Sequence, residues 1–123
     1  MFNEKFKEVL AHEGPVSLTT WANNDAHVTN TWNSYLKLTE DDRILLPMAG
    51  MHSTQADLAI NNQIKITLAS REVQGTIGAG AGFYIEGTTE FLDSGDEFDQ
   101  MVSEFPFLRQ VMVVHPTLVK QTI

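Results

Sequence analysis

The segment Asn30-Thr31-Trp32-Asn33-Ser34-Tyr35 sets two large aromatic side chains among four small hydrogen-bonding ones. Asn30, Thr31, Asn33 and Ser34 each bring polar groups that need partners if buried, and core packing gives no reason to crowd them together. A flat ligand with a polar edge would supply those partners and let Trp32 or Tyr35 lie against its face. An edge strand facing water, with the aromatics pinning a cross-strand pair, accounts for the same pattern. A second segment, Pro47-Met48-Ala49-Gly50-Met51-His52-Ser53-Thr54, follows the apolar run Ile44-Leu45-Leu46. Ala49 and Gly50 allow close approach of the backbone to something outside it. Ser53 and Thr54 fall at the start of a helix expected through about Asn61, where unpaired N–H groups and the helix dipole favour an anion such as phosphate. A simple N-cap role for one hydroxyl is the competing explanation.

Other chemistry finds less support. His12, His27, His52 and His115 are scattered, with no pair at the i, i+4 spacing of a helical metal site. Ser34 lies in no Gly-x-Ser-x-Gly elbow. The absence of cysteine excludes disulfides, thiolate nucleophiles and iron–sulfur ligation. Glycines 75, 78, 80 and 82 lack the spacing of a dinucleotide fingerprint and read as a flexible loop between strands. Asp93, Asp96, Glu97 and Asp99 read as a solvated helix start. The net charge of −8, from eight basic and sixteen acidic residues, disfavours nucleic acid and anionic membranes as partners. No apolar run is long enough to span a bilayer and no leader pattern is present, so a soluble cytoplasmic protein is expected.

The elements that must position these residues follow from the pattern. A chain of 123 residues is expected to form one domain, residues 1–123. A first helix starts near Asn3, buries Phe6, Val9 and Leu10, and ends at Gly14. Strands are expected at about 16–22, 28–38 and 44–48, separated by Asn23-Asn24-Asp25 and Glu40-Asp41-Asp42. Ile64, Ile66 and Leu68 alternate with polar or small residues as a strand with one buried face. Phe83, Ile85 and Phe91 mark another strand. Ser94-Gly95-Asp96-Glu97 suggests a capping box opening a third helix. The last strand holds residues 111–114 and continues past Pro116, which requires an edge or a bend. About six strands with few helices suggest a closed antiparallel barrel, which removes exposed edges.

Asn30 through Lys37, with Gly50-Met51-His52 and Thr54, closely resembles the small FMN-binding proteins of sulfate-reducing bacteria, in the split-barrel family that includes pyridoxamine phosphate oxidase. The likeness runs from Val9-Leu10 and Glu13-Gly14, through Ser70-Arg71 and the glycines up to Phe83, to Gln121-Thr122. It implies a mainly β fold, a six-stranded antiparallel split β-barrel of Greek-key type with two to three short helices, and FMN as cofactor. By resemblance, Asn30, Thr31, Asn33 and Ser34 hydrogen-bond the flavin, and Trp32 and Tyr35 pack near its ring. Pro47, Met48, Ala49, Gly50 and Met51 run beside the ring and offer backbone groups. Ser53 and Thr54 hold the phosphate, with Arg71 the nearest basic candidate and Lys37 and Lys65 as alternatives. The family pattern carries lysine where this chain has Ser53, and Glu72 replaces a second basic residue after Arg71.

The resemblance further implies a homodimer in which the tail ending on Ile123 reaches the partner's flavin. It puts Phe107 where the relatives carry a second tryptophan beside the ring, leaving Trp32 as the principal expected quencher. The expected function is electron transfer with a redox partner protein. The acidic surface would favour a basic partner such as a cytochrome. The alternative is a small FMN-dependent oxidoreductase, a flavin or NAD(P)H reductase or a pyridoxamine phosphate oxidase-like enzyme.

Overall fold

The computed structural model describes residues 1–123. The chain runs α1 (Glu4–Ala11), β1 (Pro15–Ala22), β2 (Asp25–Trp32), a 3₁₀ turn (Asn33–Tyr35), β3 (Lys37–Leu38) and β4 (Ile44–Met48). It continues with α2 (His52–Ile60), β5 (Gln63–Gln74), β6 (Ala79–Leu92), α3 (Asp96–Glu104) and β7 (Gln110–Gln121). All strand pairings are antiparallel, in the order β2-β1-β5-β6-β7-β4-β3.

Seven strands replace the six expected, because the segment read as one strand over 28–38 is broken. β2 stops at Trp32, and the Leu36 N–H turns back to the Asn33 carbonyl at 3.2 Å. The ladder also does not close: β2 and β3 remain edges, so the split form of the barrel holds and full closure does not. These two edges are consecutive in sequence, separated only by residues 33–36, so the sheet must curl until they lie within reach of that short link. The hairpin β1–β2 turns at Asn23 and Asn24, both with positive φ as a two-residue primed turn requires.

Alternation produces the core. Val16 and Leu18, Ile64, Ile66 and Leu68, Phe83 and Ile85, and Met112 and Val114 all point inward and are buried. Asn3 caps α1, its Oδ1 accepting from the Phe6 N–H at 2.9 Å. Phe6 then stacks on Phe2 and meets the Phe83 ring edge-on. This helix ends at Ala11, not at Gly14. A Cβ on Gly14 would stand 2.9 Å from the Ala69 carbonyl and 3.1 Å from the Asn33 amide nitrogen, so close approach is what requires glycine there.

Three further expectations change. The loop read across 75–82 is confined to residues 75–78, and β6 starts at Ala79. No capping box opens α3: its N-cap is Gly95, at φ +104, with no side-chain cap. Glu97 instead grips Arg43 through two bonds of 2.7 and 3.0 Å, while the Arg43 Nε holds Asp41. At Pro116, β7 is an interior strand, and the alternative of a bend is realised. Gly87 faces Pro116 but Glu86 faces Leu118, leaving Thr117 as the extra residue of a bulge. No helix is long and apolar enough to cross a membrane.

Candidate functional site

A cleft of about 470 Å³ opens between β2 and the start of α2, lined by residues 26–29 and 50–54. Its size falls within the range of small-molecule sites, roughly 300–1,000 Å³. One wall is made by the turn after β4. Gly50 adopts φ +71, a left-handed conformation that suits glycine, and turns the chain into α2. The N-cap is Met51, which has no side-chain cap bond, so neither Ser53 nor Thr54 plays the N-cap role. They stand instead at the second and third helical positions. The first intrahelical bond joins the Gln55 N–H to the Met51 carbonyl at 3.0 Å, leaving the N–H groups of His52, Ser53 and Thr54 without partners in the helix. Thr54 is only 3 % exposed yet lines the cleft, and its hydroxyl has no partner within the chain.

The other wall is the inward face of β2. There the His27 Nδ1–H donates to Asp57 Oδ2 at 2.8 Å, and the Thr20 hydroxyl donates to the same oxygen at 2.8 Å. Asp57, one turn beyond Thr54 on α2, is buried. The Asp25 carboxylate lies 3.5 Å from His27 Nε2. The hydrogen bond to Asp57 holds the His27 pKa above its ordinary value of 6.5, against partial burial and with help from the Asp25 charge. The same bond holds Asp57 below the usual carboxylate range. Sequence reading missed this pair. Alternation along β2 groups His27 with Thr29 and Thr31, but nothing local connects His27 to a carboxylate thirty residues away.

The remaining expected residues divide. Gly50, Met51, Ser53 and Thr54 share the cleft, and Ala49 is exposed just before it. Trp32 is exposed at the end of β2. Tyr35 packs on Phe105 and Phe107, with ring centroids 5.0 and 5.7 Å apart, and Phe107 is exposed and not directed into the core. Thr31 is buried. Asn30 is exposed and donates its amide to the Val16 carbonyl. Ser34 binds Glu13 twice, by its hydroxyl at 2.7 Å and its N–H at 3.1 Å, which holds the Glu13 pKa low.

Asn33 is fully buried and directs its amide nitrogen to the carbonyls of Val9, His12 and Ala69. Its role within the chain is to tie α1, the loop after it and β5 together. Pro47 and Met48 are buried in β4, opposite Val111 and Gln110, and the Met48 carbonyl accepts from the Arg109 N–H at 2.9 Å. Arg71 is not brought to the cleft. It lines a separate hollow of about 360 Å³ with Glu13, Ser70, Glu72 and Ile123. Lys37 is paired with Glu104, and Lys65 lies near Glu86 and over the Trp21 ring. Within the chain the tail is tied to β6. The Thr122 N–H donates to the Gly82 carbonyl and the Gly82 N–H to the Ile123 carbonyl, while the Ile123 side chain stays half exposed.

The family model for pyridoxamine 5'-phosphate oxidase matches residues 2–123. The chain belongs to the pyridoxamine 5'-phosphate oxidase family. It is 40% identical over 118 residues to the FMN-binding protein of Nitratidesulfovibrio vulgaris, covering 96% of each chain. The fold matches the crystal structure of HupZ from Group A Streptococcus with a TM-score of 0.80 at 14% identity, over 98% of this chain and 94% of that one. An FMN-binding protein from Syntrophomonas wolfei superposes with a TM-score of 0.72 at 17% identity, over 88% of this chain and 76% of that one. At these identities the two structures establish the split-barrel architecture of the family and nothing finer.

Proposed function

We propose that this chain is a cytoplasmic, homodimeric FMN-binding protein that carries electrons to and from a basic redox protein such as a cytochrome. The observation that carries the reading is the donor set at the start of α2: unpaired N–H groups, the exposed Ser53 hydroxyl and the Thr54 hydroxyl, which is open to the cleft although the residue is otherwise buried. A phosphate monoester is the ligand whose several acceptor oxygens match such a set. The 40% identical relative named as an FMN-binding protein supports extending that phosphate to FMN.

In this reading Gly50 and Met51 lead the ligand from the phosphate toward the aromatic end of the site. Trp32 and Tyr35 cover the ring there, and the exposed Phe107 flanks them. The flavin supplies reversible one- and two-electron chemistry at its ring, and the protein sets access and electrostatics. Trp32 and Phe107 are both about half exposed, so a docked protein can approach the aromatic end without a lid moving. The charge of −8 favours a cationic partner by steering. For the dimer, the exposed apolar residues Val28, Leu118 and Ile123 offer surface for a second copy.

The test is a titration of apoprotein with FMN and riboflavin, followed by steady-state oxidation of NAD(P)H by the FMN-loaded protein. FMN binding much tighter than riboflavin, with negligible NAD(P)H turnover and rapid exchange with a basic cytochrome, is expected. Robust NAD(P)H turnover overturns the carrier reading, and equal affinity for the two flavins overturns the phosphate placement.

A further inference from the structure

The cleft that faces Ser53 and Thr54 has no lysine or arginine in its lining. Its one side chain with a reinforced tendency to be cationic is His27, on the opposite wall. Three groups bear on that imidazole. Asp57, from α2, accepts from Nδ1, so Nε2 is the edge of the ring that remains for a further partner. Thr20, from β1, donates to the same Asp57 oxygen and fixes the carboxylate in place. Asp25, from the start of β2, sits 3.5 Å from Nε2, but its side chain is 74% exposed and can swing into water.

We propose that His27 is the cation of this phosphate site: its imidazolium pairs through Nε2 with the phosphate, Asp57 is the positioning residue, and Asp25 is a counter-ion that the ligand displaces. This rests on the flavin reading above and deepens it, because it replaces the lysine of the family pattern with a charge that depends on pH. The neutral imidazole leaves Asp25 and Asp57 as uncompensated negative charges beside the phosphate. Protonation cancels one of them and adds a donor, so FMN affinity rises as pH falls through the His27 titration. His52, on the facing wall at the start of α2, is the other titratable group lining the cleft. The phosphate itself loses charge below about pH 6, so the effect is read between pH 6.5 and 9.

By linkage, affinity changes about tenfold for each unit by which the ligand raises the His27 pKa. The experiment follows the His27 ring protons by NMR through a pH titration of the apoprotein, alone and with inorganic phosphate. FMN and riboflavin affinities are then measured across the same pH range for the wild type, His27→Gln, Asp57→Asn and His52→Gln. A rise of the His27 pKa with phosphate is expected. FMN affinity should fall with rising pH in the wild type and in His52→Gln, flatten in His27→Gln, and shift its midpoint to lower pH in Asp57→Asn. Riboflavin should show no such slope. A His27 pKa that ignores phosphate, or a slope kept in His27→Gln or lost in His52→Gln, overturns the assignment even if FMN binds. If His27 responds to phosphate but FMN does not bind, the anion site stands and the flavin reading falls.

Discussion

Replacing Asn33 with alanine tests whether this residue acts on the fold or on a ligand. Its amide nitrogen serves the His12 carbonyl at 2.9 Å and those of Val9 and Ala69 at 3.3 Å each. Two N–H protons cannot make three full bonds, so the set amounts to about two, worth roughly 1 kcal/mol each net. Alanine also leaves the carbonyls without their donor in a buried junction, at about 1–3 kcal/mol for a fully unsatisfied group. Against this, it removes Asn33 Oδ1, which is buried with no partner in the native chain and itself costs about 1 kcal/mol. The backbone bond from the Asn33 N–H to the Gly14 carbonyl is untouched. The balance is about 2–4 kcal/mol lost, a large part of the roughly 5–15 kcal/mol by which such domains are stable. With a urea m-value of about 1–2 kcal/mol/M, the midpoint should fall by about 2 M. Asn33→Asp should be worse at neutral pH, since it turns a carboxylate on three carbonyl oxygens. Equilibrium urea unfolding of apoprotein measures both variants. An unchanged midpoint together with a tenfold loss of FMN affinity would refute the structural role and place Asn33 against the ligand.

Trp32→Phe should restore more flavin fluorescence than any other single change, and emission as weak as in the wild type would show that Trp32 is not beside the ring. Ser53→Lys should tighten FMN about tenfold, the worth of one ionic hydrogen bond, and leave riboflavin unchanged, while Thr54→Ala weakens FMN in the same titration. Arg43 holds Asp41 down to about 2 and Glu97 below its usual value, mainly by hydrogen bonds to its guanidinium. Because both folded-state pKa values are depressed, their contribution is complete above about pH 4.5 and is lost as pH falls toward 2. Arg43→Met should therefore flatten the stability–pH curve over that window in thermal scans, and an unaltered curve would count against the network. Ile123→Ser keeps the backbone bonds of the tail to Gly82 but removes half-exposed apolar surface, and should shift sedimentation toward monomer if the tail helps form the dimer.

Features decided by near neighbours are legible in the chain. The alternation of Ile64, Ile66 and Leu68 marks β5, the Asn-Asn turn joins β1 to β2, and Asn3 caps α1, because each depends on a few adjacent residues. The start of α2 beside Ser53 and Thr54 is visible for the same reason, and the eight-residue resemblance from Asn30 points to the family. Only the tertiary structure decides which way those residues face. Asn33 reads from its neighbours as a ligand group, and only the packing of α1 against β5 brings three carbonyls to its amide nitrogen. Arg71 follows Ser70 along β5, and the curl of the sheet sets it in a hollow apart from the Ser53–Thr54 cleft. His27 looks inert until α2 packs across β1 and β2 and delivers Asp57. Local pattern sets each segment's conformation and its inward face. The partner of a buried polar group is chosen by contacts between distant segments, and no spacing along the chain records them.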